Sequence, residues 1–154
     1  MEEFKIIVFK VGEEFYGIDI KTVSGIENVK GFTKVPNTAS YIKGIINLRG
    51  SIVPVFSLRK KFGLEDLENE ELHLVIVRLG ETEIAVEIDQ IDVIQNVDSE
   101  MLHGVPSIVK TPGEQYYDRV VSVDNKIIVV ISAEKLVSDA DKDVIEKLVS
   151  NSEE

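Results

Sequence analysis

The chain has 154 residues, room for one ordinary domain or two very small ones, and its 44% apolar content is enough to build a core. Its 28 Asp and Glu against 17 Lys and Arg give a net charge of −11, which argues against nucleic acid or an anionic bilayer as partner, because both demand a basic surface. No apolar run approaches the roughly 20 residues of a membrane span, the acidic Met1-Glu2-Glu3 start is unlike a signal peptide, and the lack of cysteine removes disulfides, thiolate metal sites and a cysteine nucleophile together.

In chain order, short Val- and Ile-rich runs predict strands at Phe4–Val11, Gly44–Leu48, Ile52–Phe56, Leu72–Leu79, Glu83–Ile88, Val120–Val123 and Ile127–Ile131. Arg49-Gly50 and Asp124-Asn125 read as two-residue hairpin turns, since Gly and Asn tolerate positive φ. Ser57 and Ser132 are each followed by a short helical stretch, Leu58–Phe62 and Ala133–Val137, which they are placed to cap. Near the end, Val144, Ile145, Leu148 and Val149 share one helical face and predict a helix over 139–150, with fraying beyond it.

The pattern repeats. Residues 9–26 lie over residues 77–94 at a shift of 68 with no gap, matching Gly12 to Gly80, Ile20 to Ile88 and Ile26 to Ile94. Residues 47–57 lie over 122–132 at a shift of 75, turn on turn and serine on serine. Two strand-rich halves of one pattern predict two similar small barrels packed together with a groove between them. Ile20, Val23, Ile26 and Ile88, Ile91, Ile94 recur at three-residue spacing, as on a helical turn with one apolar face. That face is either core or the lining of a groove for a partner helix.

Charge is segregated as well. Asn28 to Leu64 holds no acid and seven basic residues (Lys30, Lys34, Lys43, Arg49, Arg59, Lys60, Lys61), leaving −18 on the rest. These residues are either scattered over solvated loops or gathered on one positive face for an acidic protein partner. Catalytic chemistry has little to stand on. His73 lies inside a strand and His103 in a turn-rich stretch, neither with ligand spacing, and no Gly-rich loop opens a helix to hold phosphate. The expectation is a non-enzyme with no metal and no cofactor.

Tyr16-Gly-Ile-Asp-Ile, followed by Val23 and Ile26, resembles the first signature of the chemotaxis coupling (CheW-like) family. Tyr41-Ile-Lys-Gly-Ile-Ile-Asn-Leu-Arg-Gly-Ser-Ile-Val-Pro-Val-Phe-Ser-Leu-Arg-Lys-Lys-Phe62 resembles its most diagnostic one, and Glu87–Ile94 and Ala133–Val137 are similar to weaker later motifs. The likeness runs from Phe4 to about Val149. It implies a mainly β fold of two pseudo-equivalent five-stranded SH3-like β-barrels with short helical turns and a C-terminal helix. The boundaries expected are 12–70 for the first barrel, 1–11 with 71–137 for the second, and 139–150 for the helix.

The resemblance also implies a function: a cytoplasmic chemotaxis adaptor, without direct membrane insertion, recruited to receptor arrays. Its implied partners are the cytoplasmic tip of methyl-accepting chemotaxis receptors and the regulatory domain of the histidine kinase CheA. By motif position, receptor contact carries over to Ile20, Val23, Gly44 and Arg49, with Ile91 facing them from the second half. Kinase contact carries over more loosely to His73 and Val137. Alternatives are a CheW-like regulatory domain, such as that of the kinase, or a paralogue in a non-flagellar chemosensory pathway. One departure concerns Gly25: relatives often carry Glu there, two residues after the Val23 position, whereas this chain has its glutamate at Glu27. At Arg49 the bare reading is a solvated turn residue; the family motif and its acid-free surroundings favour a functional arginine, either holding a partner carboxylate or holding a neighbouring loop.

Overall fold

The structure is a computed structural model describing residues 4–36, 41–66, 70–104 and 116–137. Its strands are β1 (Phe4–Val11), β2 (Glu14–Asp19), β3 (Val23–Lys30), β4 (Ile42–Leu48), β5 (Ser51–Ser57), β6 (Glu71–Leu79), β7 (Thr82–Ile88), β8 (Gln90–Val97), β9 (Leu102–His103), β10 (Tyr117–Val123) and β11 (Lys126–Ile131). Two single-turn helices follow β5 and β11: α1 (Leu58–Lys61) and α2 (Ala133–Leu136). The C-terminal helix expected at 139–150 lies outside the described residues.

The anticipated turns form as the residues demand. Two further turns, at the repeat-matched Gly12 and Gly80 that sequence had not marked as turns, take φ of 63° and 65° between β1 and β2 and between β6 and β7. Arg49 and Gly50 (φ 53° and 89°) join β4 to β5, and Asp124 and Asn125 (φ 48° and 64°) join β10 to β11. Positive φ at both central residues matches the twist of the flanking strands. The Ser57 hydroxyl accepts from the Lys60 amide and the Ser132 hydroxyl from the Lys135 amide, both at 3.3 Å, capping α1 and α2.

Two sheets result, with strand orders β8-β1-β2-β11-β10-β9 and β3-β6-β7-β5-β4. They belong to two compact units, one drawn from Met1–Val23 with Asp89–Val137 and the other from Ser24–Ile88. This corrects the expected boundaries. A tight turn at Gly12 holds β2 antiparallel to β1, and β2 also pairs in parallel with β11, so 12–23 stays with the first strand rather than opening the other barrel. Likewise β7 pairs antiparallel with β6 and in parallel with β5, which keeps 71–88 with β3, β4 and β5. Matching the repeat to the topology, β8 corresponds to β3, β1 to β6, β2 to β7, β11 to β5 and β10 to β4. Each half of the sequence therefore contributes its third strand to the unit containing the other half's leading hairpin.

Each unit has its own core. In the unit of Ser24–Ile88, Ile46, Val53, Val55, Leu72, Leu74, Ile76 and Ala85 pack together, with Val29, Phe32 and Leu48 at the margin. In the other, Ile6, Val8, Val97, Val121, Ile128 and Val130 pack together. Gly17 lies under this second core. A Cβ there would stand 2.8 Å from the Ile6 Cδ1 and 3.3 Å from the Ile128 Cγ2, so the Tyr16-Gly-Ile-Asp signature needs its glycine for packing.

Each sheet also closes on itself. After β3, Thr33 exchanges two backbone hydrogen bonds with Ile45 of β4, 2.9 Å and 2.8 Å, joining the two edges of the five-stranded sheet. In the other unit, β9 follows β8 along the chain and pairs with β10. These seams make the two SH3-like barrels, one of five strands and one of five plus the two-residue β9.

Candidate functional site

In the unit of Ser24–Ile88, Arg49 and Gly44 lie along the barrel seam, and His73 lies on β6 away from it. The Asn47 side chain accepts from the Gly50 amide at 2.9 Å, which fixes the β4–β5 turn with Arg49 in the left-handed region. From there the guanidinium Nη2 of Arg49 donates to the Glu27 carboxylate on β3. The arginine side chain is 81% exposed and the glutamate 23%, so one edge of the guanidinium is held and the rest of its donor fork is open to solvent. An added Cβ on Gly25 would lie 3.9 Å from the Glu27 Oε1. The carboxylate thus reaches back over Gly25, and glutamate at 27 occupies the space above position 25. Successive residues on a strand face opposite ways, and Asn28 accordingly turns to the other face of β3, where its Oδ1 lies 2.9 Å from the Nδ1 of half-buried His73 on β6.

Gly44 is buried beside the Thr33–Ile45 bridge. A Cβ there would come 2.3 Å from the Thr33 carbonyl oxygen and 2.7 Å from the Phe32 ring. Close approach of two backbones is its local role. The side chain of its neighbour Lys43 is 6% exposed. The ammonium lies 3.0 Å from Glu87 and 3.2 Å from Asp66, with Phe32 under it at 5.4 Å. Lys60 also reaches Asp66, at 3.9 Å, and Lys61 sits over the Tyr41 ring at 4.5 Å. The acid-free segment therefore forms no uniform positive face: Lys43 is buried, and acids from outside the segment (Glu27, Asp66, Glu87) meet three of its cations.

The other unit holds Ile20, Val23, Ile91 and Val137. Ile20 opens a 3-10 turn (Ile20–Thr22) that Asp19 caps by accepting from the Lys21 amide, and Val23 starts β3; both are half-buried. The helical turn expected at 88–94 does not form. Ile88 ends β7 and is buried, whereas Ile91 and Ile94 lie on β8. Register also separates these residues. Ile91 pairs with Phe9 at one end of β1, whereas Asp19, next to Ile20, pairs with Ile6, so Ile20 falls about four residues, or ~13 Å, further along β1. Val137 is 2% exposed and belongs to the core; that burial replaces its assignment to an outer contact surface. On β2, burial pushes the Tyr16 phenol above its ordinary pKa, with Tyr117 and Glu14 adding to the shift.

Glu27 and Asn28 are the residues sequence reasoning had not assigned. The signal for Glu27 lay in its two-residue offset from Gly25, which preserves the strand face. No grouping of three or more metal-ligating side chains occurs among the described residues, and no described helix is long and apolar enough to cross a membrane.

The model of the CheW-like domain matches residues 5–141. The chain is 32% identical over 142 residues to the chemotaxis protein CheW of Treponema pallidum (strain Nichols), covering 89% of this chain and 84% of that one. The crystal structure of scaffolding protein TtCheW from Thermoanaerobacter tengcongensis superposes with a TM-score of 0.80 at 28% identity, over 91% of this chain and 96% of that one. A further likeness, 29% over 86 residues, is to the chemotaxis protein CheA of Bacillus subtilis (strain 168), where it spans 54% of this chain and 12% of CheA. With both barrels matched and the Asn-Leu-Arg-Gly turn in place, the chain belongs to the CheW-like domain family of chemotaxis proteins.

Proposed function

We propose that this chain is a chemotaxis adaptor that couples the cytoplasmic tip of a methyl-accepting receptor to the regulatory domain of the kinase CheA, and that it works by binding alone, in the cytoplasm. The observation that carries the reading is the family match over both barrels, 5–141. Its likeness to part of CheA supports the kinase as partner, since a shared module gives two proteins related surfaces. Arg49 is the centre of the receptor site. Its turn and Glu27 orient a guanidinium whose open edge suits a carboxylate on the receptor. By motif position alone, Ile20, Val23 and Ile91, half-buried in the other unit, are assigned as further apolar receptor contacts, and half-buried His73 on β6 is assigned to the kinase.

Calorimetric titration of receptor-tip peptide and kinase regulatory domain into wild type and Arg49→Glu tests this. Arg49→Glu loses tenfold or more in receptor affinity, about 1.4 kcal/mol, and keeps its kinase affinity and its melting temperature within about 2 °C. Equal receptor affinity in the two proteins removes Arg49 from the site. Failure of the wild type to bind either partner removes the adaptor reading.

A further inference from the structure

Asp89 stands where the chain enters the unit of 1–23 with 89–137. Its carboxylate Oδ2 accepts from the Gly12 amide at 2.7 Å, and its own amide donates to the Lys10 carbonyl at 3.0 Å. The shorter bond has the length of a charge-assisted one, a carboxylate on a backbone N–H. Val11 pairs with Glu14 to close the β1–β2 turn. The Gly12 amide therefore lies outside the strand ladder and needs an acceptor from elsewhere. Ile91 comes two residues after Asp89, in a short stretch of ladder. Lys10 pairs with Gln90 and Phe9 with Ile91, and then the register slips by one residue, a bulge at Asp92-Val93, before pairing resumes at Ile7 and Ile94. A bulge interrupts a ladder, so the pairings beyond it do little to fix Ile91. Asp89 ties down the other end of this two-pair stretch.

The turn itself does not demand this bond. At the repeat-matched turn Gly80 takes φ of 65°, as Gly12 takes 63°. At the shift of 68, however, the residue matched to Asp89 is Lys21, whose side chain has no acceptor. The carboxylate at 89 is thus an addition to one half of the repeat, and the residue it adds order to is Ile91. We infer that Asp89 is a positioning residue for the receptor site: it pins the start of β8 to the β1–β2 turn and so sets where Ile91 is presented. The inference rests on the placement of Ile91 in the receptor site. Order fixed in advance is order that the receptor need not impose on binding.

A double-mutant cycle on the full chain tests this, with receptor-tip peptide titrated calorimetrically into wild type, Asp89→Ala, Asp89→Asn, Ile91→Ala and the Asp89→Ala/Ile91→Ala pair. Asp89→Ala and Ile91→Ala each weaken receptor binding by about fivefold. The pair binds no more weakly than Ile91→Ala alone, and Asp89→Asn, which keeps an acceptor oxygen, restores most of the affinity. Kinase affinity and the circular dichroism spectrum stay those of the wild type. Amide hydrogen exchange reads the anchor without any partner: the Gly12 amide is protected in the wild type and exchanges faster in Asp89→Ala. Wild-type receptor affinity in Asp89→Ala, or losses that add in the double variant, overturns the inference and leaves Ile91 in the site. Unchanged affinity for Ile91→Ala removes Ile91 from the site and the inference with it. An unprotected Gly12 amide in the wild type overturns it even where Asp89→Ala fails to fold.

Discussion

At the scale of single residues, two positions read as contacts by motif have local duties that explain their identity. Arg49 sits where glycine or asparagine is the usual choice, at φ 53°, a conformation costing a β-carbon residue about 1 kcal/mol. The Asn47 side chain and the Glu27 pairing offset part of that cost and fix the direction of the side chain. Gly44 is constrained by the seam. Gly44→Ala drives a methyl into the Thr33 carbonyl and should cost about 1–3 kcal/mol. Thermal melts compared with Gly63→Ala, where a Cβ meets nothing within 4 Å but φ is 79°, separate crowding from backbone strain. A Gly44→Ala melting temperature equal to that of the wild type would show that the seam yields freely and return Gly44 to a contact role.

At the scale of elements, the legible parts were those set by local chemistry. The Arg49-Gly50 and Asp124-Asn125 turns and the two serine caps depend on a few adjacent residues, and each formed as expected. Strands β3 and β8 were missed because they are polar edge strands, with Gly25 in one and Asp92, Gln95 and Asn96 in the other. Only their inner residues, such as Val29 and Val97, touch a core. The three-residue spacing of Ile88, Ile91 and Ile94 imitates a helical turn because a strand end and a bulge place them so. The basic segment was misleading for a different reason. Sequence shows where cations lie along the chain, whereas Asp66 and Glu87 reach Lys43 across the fold. That cluster holds the segment after α1 against β4 and β7. Lys43→Met leaves two carboxylates facing each other without their cation, and should destabilise by about 2 kcal/mol. The figure is below the roughly 3–5 kcal/mol of a fully buried pair because Asp66 retains a quarter of its side-chain exposure. Urea unfolding measures it, and the loss should lessen in the triple variant with Asp66→Asn and Glu87→Gln. An undiminished loss would assign the cost to packing of the lysine stem.

At the scale of the whole molecule, the repeat and the folding units differ in phase. The repeat can be read from glycine and isoleucine spacing, but the parallel pairings β2–β11 and β5–β7, which decide where each strand goes, span more than a hundred residues in one case and about thirty in the other. No local pattern encodes them. One consequence is that Ser24–Ile88 is a continuous segment containing every strand of the five-stranded sheet, its seam at Thr33–Ile45 and its core. The segment 12–70, which the repeat suggests, carries β2 without β1 or β11, and β3 to β5 without β6 or β7. It leaves Val55 and Phe56 without the β7 residues Ala85 and Val86 that pair with them. The fragment 24–88 should therefore fold alone, marginally for its size, giving a strand-type circular dichroism spectrum and a cooperative melt below that of the full chain. The fragment 12–70 should stay unfolded, because an open sheet missing its two central strands exposes both apolar surface and unpaired backbone. A cooperative melt for 12–70 together with an unfolded 24–88 would overturn the exchanged-strand topology. Success of 24–88 would provide a carrier for Arg49, Glu27 and His73 on which receptor and kinase contacts can be measured without Ile20, Val23 or Ile91.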